Sequence, residues 1–350
     1  TNPIHTGKTR MALDIKNGTI EMAHGSGGRA MSELIDQLFL PAFDNEFLQQ
    51  KNDQALITLP GQRVVMATDS HVVSPLFFPG GNIGSLSVHG TINDVAMSGA
   101  KPLYLSASFI LEEGFPLSSL QRIVYSMAEA AKECQTPIIT GDTKVVEKGH
   151  GDGIYINTTG IGIVSNELTL KPSNIQVGDK ILINGTIGDH GTTIMSARQD
   201  MNFSSDLRSD SQALHDLVAI MVKASPTIRC MRDPTRGGLG ASLNELAQCA
   251  KIGMVLEEAQ IPVKTAVTAT SEILGLDPMY IANEGKLVAI CPPNQAESLL
   301  TAMQSHPKGQ DAAIIGEVIE DKHQFVQLKT EFGGKRIIDW RYADPLPRIC

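Results

Sequence analysis

The sequence predicts an α/β protein of two domains of similar size, with α+β character, and three observations carry that prediction. Apolar β-branched runs alternate with stretches of helical spacing along the whole chain. The length, 350 residues, is about twice that of an ordinary domain. Midway, the polar segment Lys171-Pro-Ser-Asn-Ile-Gln-Val-Gly-Asp179 interrupts the pattern with proline and glycine and puts a boundary near residue 172.

The elements follow in order. A short strand over residues 19–22 leads to a glycine-rich turn that opens a helix; residues 63–68 read as a strand, 83–98 as a helix and 103–111 as a strand. Residues 117–134 place Leu120, Ile123, Val124, Met127, Ala128 and Ala131 at helical spacing, and Pro137 ends the helix. Strands over 138–140 and 154–164 complete the first half. The second half opens with a strand over 180–184, helices over 211–224 and 239–250, and strands over 254–256 and 286–291. A helix over 295–305 and a strand over 312–318 follow, and segments 324–330 and 335–340 flank Gly333-Gly334 as a hairpin. Residues 341–350 contain Pro345 and Pro347 and form a stiffened tail.

Composition excludes several classes. With 42% hydrophobic and 19% charged residues the chain is globular rather than disordered. A net charge of −9, from 38 acids against 29 bases, argues against nucleic acid and anionic membranes as partners. No apolar run reaches the roughly 20 residues that span a bilayer, and the start has no apolar leader core, so the expected location is cytoplasmic. The five cysteines (Cys134, Cys230, Cys249, Cys291, Cys350) are odd in number, irregularly spaced and without a CxxC pair, which fits reduced thiols. Residues 1–19 read as an extension with no assigned function.

Four aspartates are the most informative residues: Asp69 in Ala-Thr-Asp-Ser, Asp94 in Thr-Ile-Asn93-Asp-Val, Asp142 in Thr-Gly-Asp-Thr-Lys, and Asp233 in Arg-Asp-Pro-Thr-Arg-Gly-Gly. Each is read at a strand-to-loop or strand-to-helix junction or in a glycine-flanked turn, where α/β proteins bind ligands. Converging hard oxygen ligands suit Mg²⁺, which bridges carboxylates to nucleotide phosphates, and so let an acidic protein bind an acidic ligand. Capping of helices and turns is the competing role for each.

Lys144, in the Gly-Asp-Thr-Lys turn, and Glu284, just before an apolar strand, are candidates for phosphate positioning and proton transfer, with a surface turn as the alternative. Gly25-Ser-Gly27-Gly28-Arg-Ala fits a phosphate-covering loop, a dinucleotide turn or a plain helix cap. Gly7-Lys8-Thr9 ends like a P-loop but lacks its first glycine and its strand. Asp189-His190-Gly191 follows a Gly-x-x-Gly turn at a helix start, where backbone NH groups meet phosphates; capping or packing is the alternative for His190. Cys350 closes Pro-Leu-Pro-Arg-Ile-Cys on a tether of ten residues, which reaches at most about 33 Å and suits a covalent carrier, with a frayed end that happens to finish in cysteine as the alternative.

Taken together, His24-Gly-Ser-Gly-Gly-Arg29, Thr68-Asp-Ser70, the 75–84 segment Pro-Leu-Phe-Phe-Pro-Gly-Gly-Asn-Ile-Gly, Asn93-Asp94, Gly141-Asp-Thr-Lys-Val-Val146, Gly188-Asp-His-Gly191, Thr235-Arg-Gly-Gly238, Ala282-Asn-Glu-Gly-Lys286 and the closing Pro-Arg-Ile-Cys350 resemble the HypE family of hydrogenase maturation proteins. That family lies in the aminoimidazole ribonucleotide synthetase-like (PurM-like) superfamily, and the resemblance covers about residues 20 to 350. It implies an ATP-binding domain over 20–171 whose sheet forms a homodimer, a second α/β domain over 172–340, and a mobile tail over 341–350. It further implies that the carbamoyltransferase HypF loads a carbamoyl group onto Cys350. ATP then dehydrates it to a thiocyanate, and the HypC–HypD iron-carrying complex takes the cyanide for nickel–iron hydrogenases. The roles carried over are Mg²⁺ and ATP at Asp69, Asp94 and Asp142 with Asp233 as a further metal ligand, nucleotide contacts at Asn93, Thr143, Gly25, Gly27 and Gly28, and chemistry at Cys350, Lys144 and Glu284. A small-molecule kinase of the selenophosphate or thiamine-phosphate type and a non-catalytic carbamoyl carrier are the alternatives.

Overall fold

The computed structural model describes residues 13–25, 29–49, 59, 61, 63–198, 207–339 and 348–350. The first half contains β1 (Arg63–His71), α1 (Ile83–Ala96), β2 (Lys101–Glu112), α2 (Leu117–Glu133), β3 (Ile138–Val146) and β4 (Ile154–Val164). Its four strands form a sheet in the order β1-β4-β2-β3, antiparallel except for the β2–β3 pair. The second half contains β5 (Lys180–Ile183), α3 (Asp189–Arg198), α4 (His215–Ala224), β6 (Cys230–Arg232), α5 (Gly238–Ala250), β7 (Gly253–Glu257) and α6 (Thr265–Leu274). It continues through β8 (Val288–Cys291), α7 (Ala296–Gln304), β9 (Ala313–Ile319), β10 (Val326–Lys329) and β11 (Lys335–Ile338). Its seven strands run β11-β10-β7-β9-β5-β8-β6, with β10 and β7 the parallel pair. No helix among the described residues is long and apolar enough to cross a membrane.

The covered face of the first sheet packs on α1 and α2. Helix α1 is buried nearly all round, its apolar residues spread over every side and its buried polar ones, Ser87, Thr91 and Asn93, each hydrogen-bonded. It begins where it does because Asn82 Oδ1 accepts the Gly84 N–H at 2.8 Å while the Asn82 N–H donates to Ser85 Oγ, a reciprocal cap. The Thr158 hydroxyl donates to the Ser87 carbonyl at 2.7 Å and meets Thr91 Oγ1 at 2.6 Å, fastening α1 to β4. At Gly84 an added Cβ would stand 2.3 Å from the Ile123 carbonyl oxygen of α2. Gly84→Ala should therefore force the two helices apart and cost about 1–3 kcal/mol, read as a lower denaturation midpoint with an unchanged m-value.

Several local expectations change. β1 extends to His71, so Asp69 lies within a strand and not at its end, and Asp94 lies within α1; of the four aspartates only Asp233 follows a strand end. The Gly-Asp-Thr-Lys stretch is not a turn: it continues β3, paired with β2 as far as Val146–Glu112. A complete ladder outweighs the turn preference of Gly-Asp, and Gly141 sits in the strand because a Cβ there would lie 2.3 Å from the Ala107 carbonyl oxygen. The short strand near residue 20 reduces to a Thr19–Pro116 bridge and the 3₁₀ turn Met22–Gly25. α4 starts at His215 because Ser211 and Gln212 are engaged with the first half: Ser211 Oγ meets His89 Nδ1 at 3.0 Å, and the Gln212 carbonyl accepts from Asn93.

Candidate active site

Because side chains alternate across a sheet, register decides which candidates can meet. Asp69 points to the covered face of the first sheet, toward α1, which carries Asn93 and Asp94. From the second half, the end of β6 supplies Asp233 and the segment leading to β8 supplies Glu284. Asn93 fastens the two halves: its amide nitrogen donates to the Gln212 and Glu284 carbonyls, both at 3.0 Å, and its oxygen accepts the Leu214 N–H at 2.8 Å. The Asn93 amide is thereby spent on holding the Glu284 segment against α1.

The result is a crowd of carboxylates. Asp94 and Asp233 share a side-chain hydrogen bond. Burial, then the charges of Asp233 and Asp69, push the Asp94 carboxyl up to about 8. Burial likewise raises Asp233. Glu284 is 3% exposed, its Oε1 has no hydrogen-bond partner among the described residues, and burial with Asp210, Asp233, Asp69 and Asp94 around it raises its carboxyl well above the usual range. Beside them His71, 1% exposed, sets Nε2 at 3.4 Å from Asp69 Oδ2, and burial keeps the ring neutral. A like-charged pair this close either shares a proton or shares a cation. Among the described residues no group of three or more His, Cys, Asp or Glu side chains is arranged to hold a metal ion.

These shifts give a measurable consequence. Above its ordinary value of 3.8 the unfolded chain releases the Asp94 proton, whereas the native state keeps it up to about 8. The native state thus binds more protons across that window, and stability falls as pH rises through it. Without divalent cations, the melting temperature should decline from about pH 5 to pH 8, and Asp94→Asn should flatten that decline.

Asp210, absent from the sequence reading, and Lys286, known from it only as the end of a motif, hold Glu284 in place. Asp210 Oδ1 accepts the Glu284 N–H at 3.1 Å, and its Oδ2 takes Lys286 Nζ at 2.9 Å in a pair that is 7% and 4% exposed. Burial pushes Asp210 up, but Lys286, His190 and these bonds together hold it below the usual carboxylate range. The run Arg208-Ser-Asp-Ser carries no periodicity that would have flagged it.

The end of the chain lies against the same strand. The Val72 N–H donates to the Cys350 carbonyl at 2.9 Å and the Ser74 N–H to the Arg348 carbonyl at 3.2 Å, so residues 348–350 run beside the segment that continues β1. Ile349 is buried and Cys350 half-buried.

Other candidates lie elsewhere. Asp142 pairs in register with Ser108, Asn157 and Ser70, a row on the open face of the sheet, opposite Asp69, and Lys144 joins it there in an exposed ion pair of 2.8 Å. Three strand spacings, about 14 Å, separate the Asp142 and Ser70 backbones. The structure therefore does not bring Asp142 and Lys144 to the carboxylate crowd within one chain. Thr143 alternates onto the covered face, opposite Phe109. Gly25 ends the 3₁₀ turn, and Gly27 and Gly28 lie outside the described residues.

The chain matches the AIR synthase related proteins: the N-terminal domain of that family matches residues 51–164 and its C-terminal domain residues 176–329. The chain is 62% identical to "Carbamoyl dehydratase HypE" of Azotobacter vinelandii over 97% of its length and 99% of that protein. A crystal structure of the hydrogenase maturation protein HypE in complex with ATP superposes with a TM-score of 0.91 at 46% identity, covering 94% of this chain and 99% of that one. A crystal structure of a HypE–HypF complex aligns with a TM-score of 0.77 at 46% identity, over 87% of this chain and 99% of that one. The chain belongs to the HypE family of carbamoyl dehydratases, enzymes of hydrogenase maturation.

Proposed function

We propose that this chain binds Mg-ATP and uses it to dehydrate a carbamoyl group carried on its own Cys350. The observation that carries this reading is the docking of the Cys350 backbone on Val72, three residues along the chain from Asp69 and next to buried His71. The family member solved with ATP supports the nucleotide. The mass-spectrometric test with Cys350→Ala, set out in the Discussion, decides it.

The chemistry asks for few parts. A thiocarbamate oxygen cannot leave as such; once phosphorylated by ATP it departs as phosphate, and the two N–H hydrogens leave as protons to give a nitrile on sulfur. Asp69, Asp94 and Asp233 are the donors that fit Mg²⁺: they are hard oxygens, and Asp94 and Asp233 are close enough to share a proton that a cation would replace. The cation supplies charge neutralisation at the phosphates. Glu284, desolvated and with an unpartnered oxygen, is the acceptor for an N–H proton. Gly25, Gly27 and Gly28 suit a cover over the phosphates, and Thr143 a contact at the far side of the cleft.

We further infer a homodimer through the open face of the first sheet. Met66 is 70% exposed there and Val64 and Ile110 about half, an apolar row that water penalises. Pairing two such faces puts Asp142 and Lys144 in the seam beside the nucleotide cleft. HypF as carbamoyl donor is supported by the family member solved with it. A HypC–HypD complex as acceptor and a cytoplasmic setting complete the reading.

A further inference from the structure

The reaction requires Cys350 to be reachable by a delivering enzyme at one moment and buried at another. Something must hold the tail in, and the first turn of α3 contains a polar group the chemistry above does not use. His190 is fully buried, its Nε2 lies 2.7 Å from the Ile349 carbonyl oxygen, and its Nδ1 lies 2.7 Å from Ser209 Oγ. A carbonyl only accepts, so Nε2 carries the proton; in a neutral ring Nδ1 is then the acceptor and the Ser209 hydroxyl donates to it. Burial favours that neutral ring.

Ser209 is itself fixed. Its N–H donates to the Pro79 carbonyl at 2.9 Å, and its hydroxyl oxygen accepts the Ser211 N–H at 3.1 Å, which leaves the hydroxyl hydrogen for His190. The ring of Phe78 meets the imidazole edge-on, with centroids 5.6 Å apart. At the other end of α3, Arg198 donates to the Ser74 carbonyl at 2.6 Å and to the Arg348 carbonyl. One helix thus grips both the tail and the segment it pairs with.

We propose that His190, oriented by Ser209, is a positioning residue that latches residues 348–350 in the docked state, with Arg198 as a second catch. The latch rests on geometry alone; its use in a carrier cycle rests on the reading that Cys350 carries the carbamoyl group. Without the Nε2 donor the buried Ile349 carbonyl loses its side-chain partner and the docked state loses ground to the released one.

The test is iodoacetamide labelling of the full chain, followed peptide by peptide at Cys350 and at exposed Cys249. His190→Ala should speed Cys350 labelling by about tenfold and leave Cys249 at its original rate. His190→Gln, whose amide N–H replaces the Nε2 donor, should return Cys350 toward the unsubstituted rate. Should His190→Ala give no cooperative melt, Arg198→Met takes its place with the same expected ratio. Labelling of Cys350 unchanged in a folded variant overturns the latch, as does equal acceleration of Cys249 and the buried cysteines, which reports general loosening. Failure of the carrier reading registers separately, as absence of carbamoyl mass on Cys350 in the unsubstituted chain.

Discussion

Cys350→Ala protein incubated with carbamoyl phosphate, ATP, Mg²⁺ and the carbamoyltransferase should gain no mass. The unsubstituted chain should gain one carbamoyl group on its C-terminal peptide and then, as ATP turns over, lose one water from that peptide. The expected loss is complete, because no other cysteine stands in for Cys350. Cys134, Cys230 and Cys291 are buried, and burial pushes their thiols up to about 12, 11 and 12, far from the thiolate that attacks a carbonyl. Cys249 is exposed on α5, a helix of the second half that packs on β-strands remote from the first sheet. The substitution removes one sulfur from a half-buried position, so the fold should melt normally. Adducts of the same mass on Cys350→Ala would refute the carrier assignment.

Glu284→Gln should leave carbamoyl loading intact and slow the loss of water by about 10²–10⁴-fold, the range a positioned general base contributes. The pair of readouts on one peptide separates delivery from dehydration without a spectroscopic handle. Glutamine keeps the volume of the buried side chain and the backbone bonds from Asp210 and Asn93 to this segment. It also removes an ionisable group from among four aspartates, so the variant should melt no lower than the parent and higher at alkaline pH. Unchanged dehydration in a stable Glu284→Gln protein would remove Glu284 from the chemistry and leave it a structural acid.

Much of this was legible in the residues. The apolar runs mark most of the described strands to within a few residues, because β-branched alternation and helical stripes are local signals. Asp69, Asp94, Asp233 and Glu284 stood out by their flanking motifs, and the fold brings them into one field. Sequence reading failed where the answer depended on register. Asp142 and Lys144 looked like a turn beside the other acids, yet a continued ladder moves them to the opposite face of the sheet. Asp210 and the partner of His190 were invisible for another reason: each contact joins residues far apart in the chain and is set by tertiary packing, within the second half for Asp210 and between that half and the tail for His190.

Asn93 and Asp94 are adjacent residues of one helix, and one holds the second half while the other serves the acid cluster. A chain emerging from the ribosome therefore lacks the full acid cluster until the segment of the second half that carries Glu284 has been clasped by Asn93 and Asp210. Neither half carries the acid cluster alone, since Asp69 and Asp94 come from one side of the seam and Asp233 and Glu284 from the other, so only the complete molecule can assemble it.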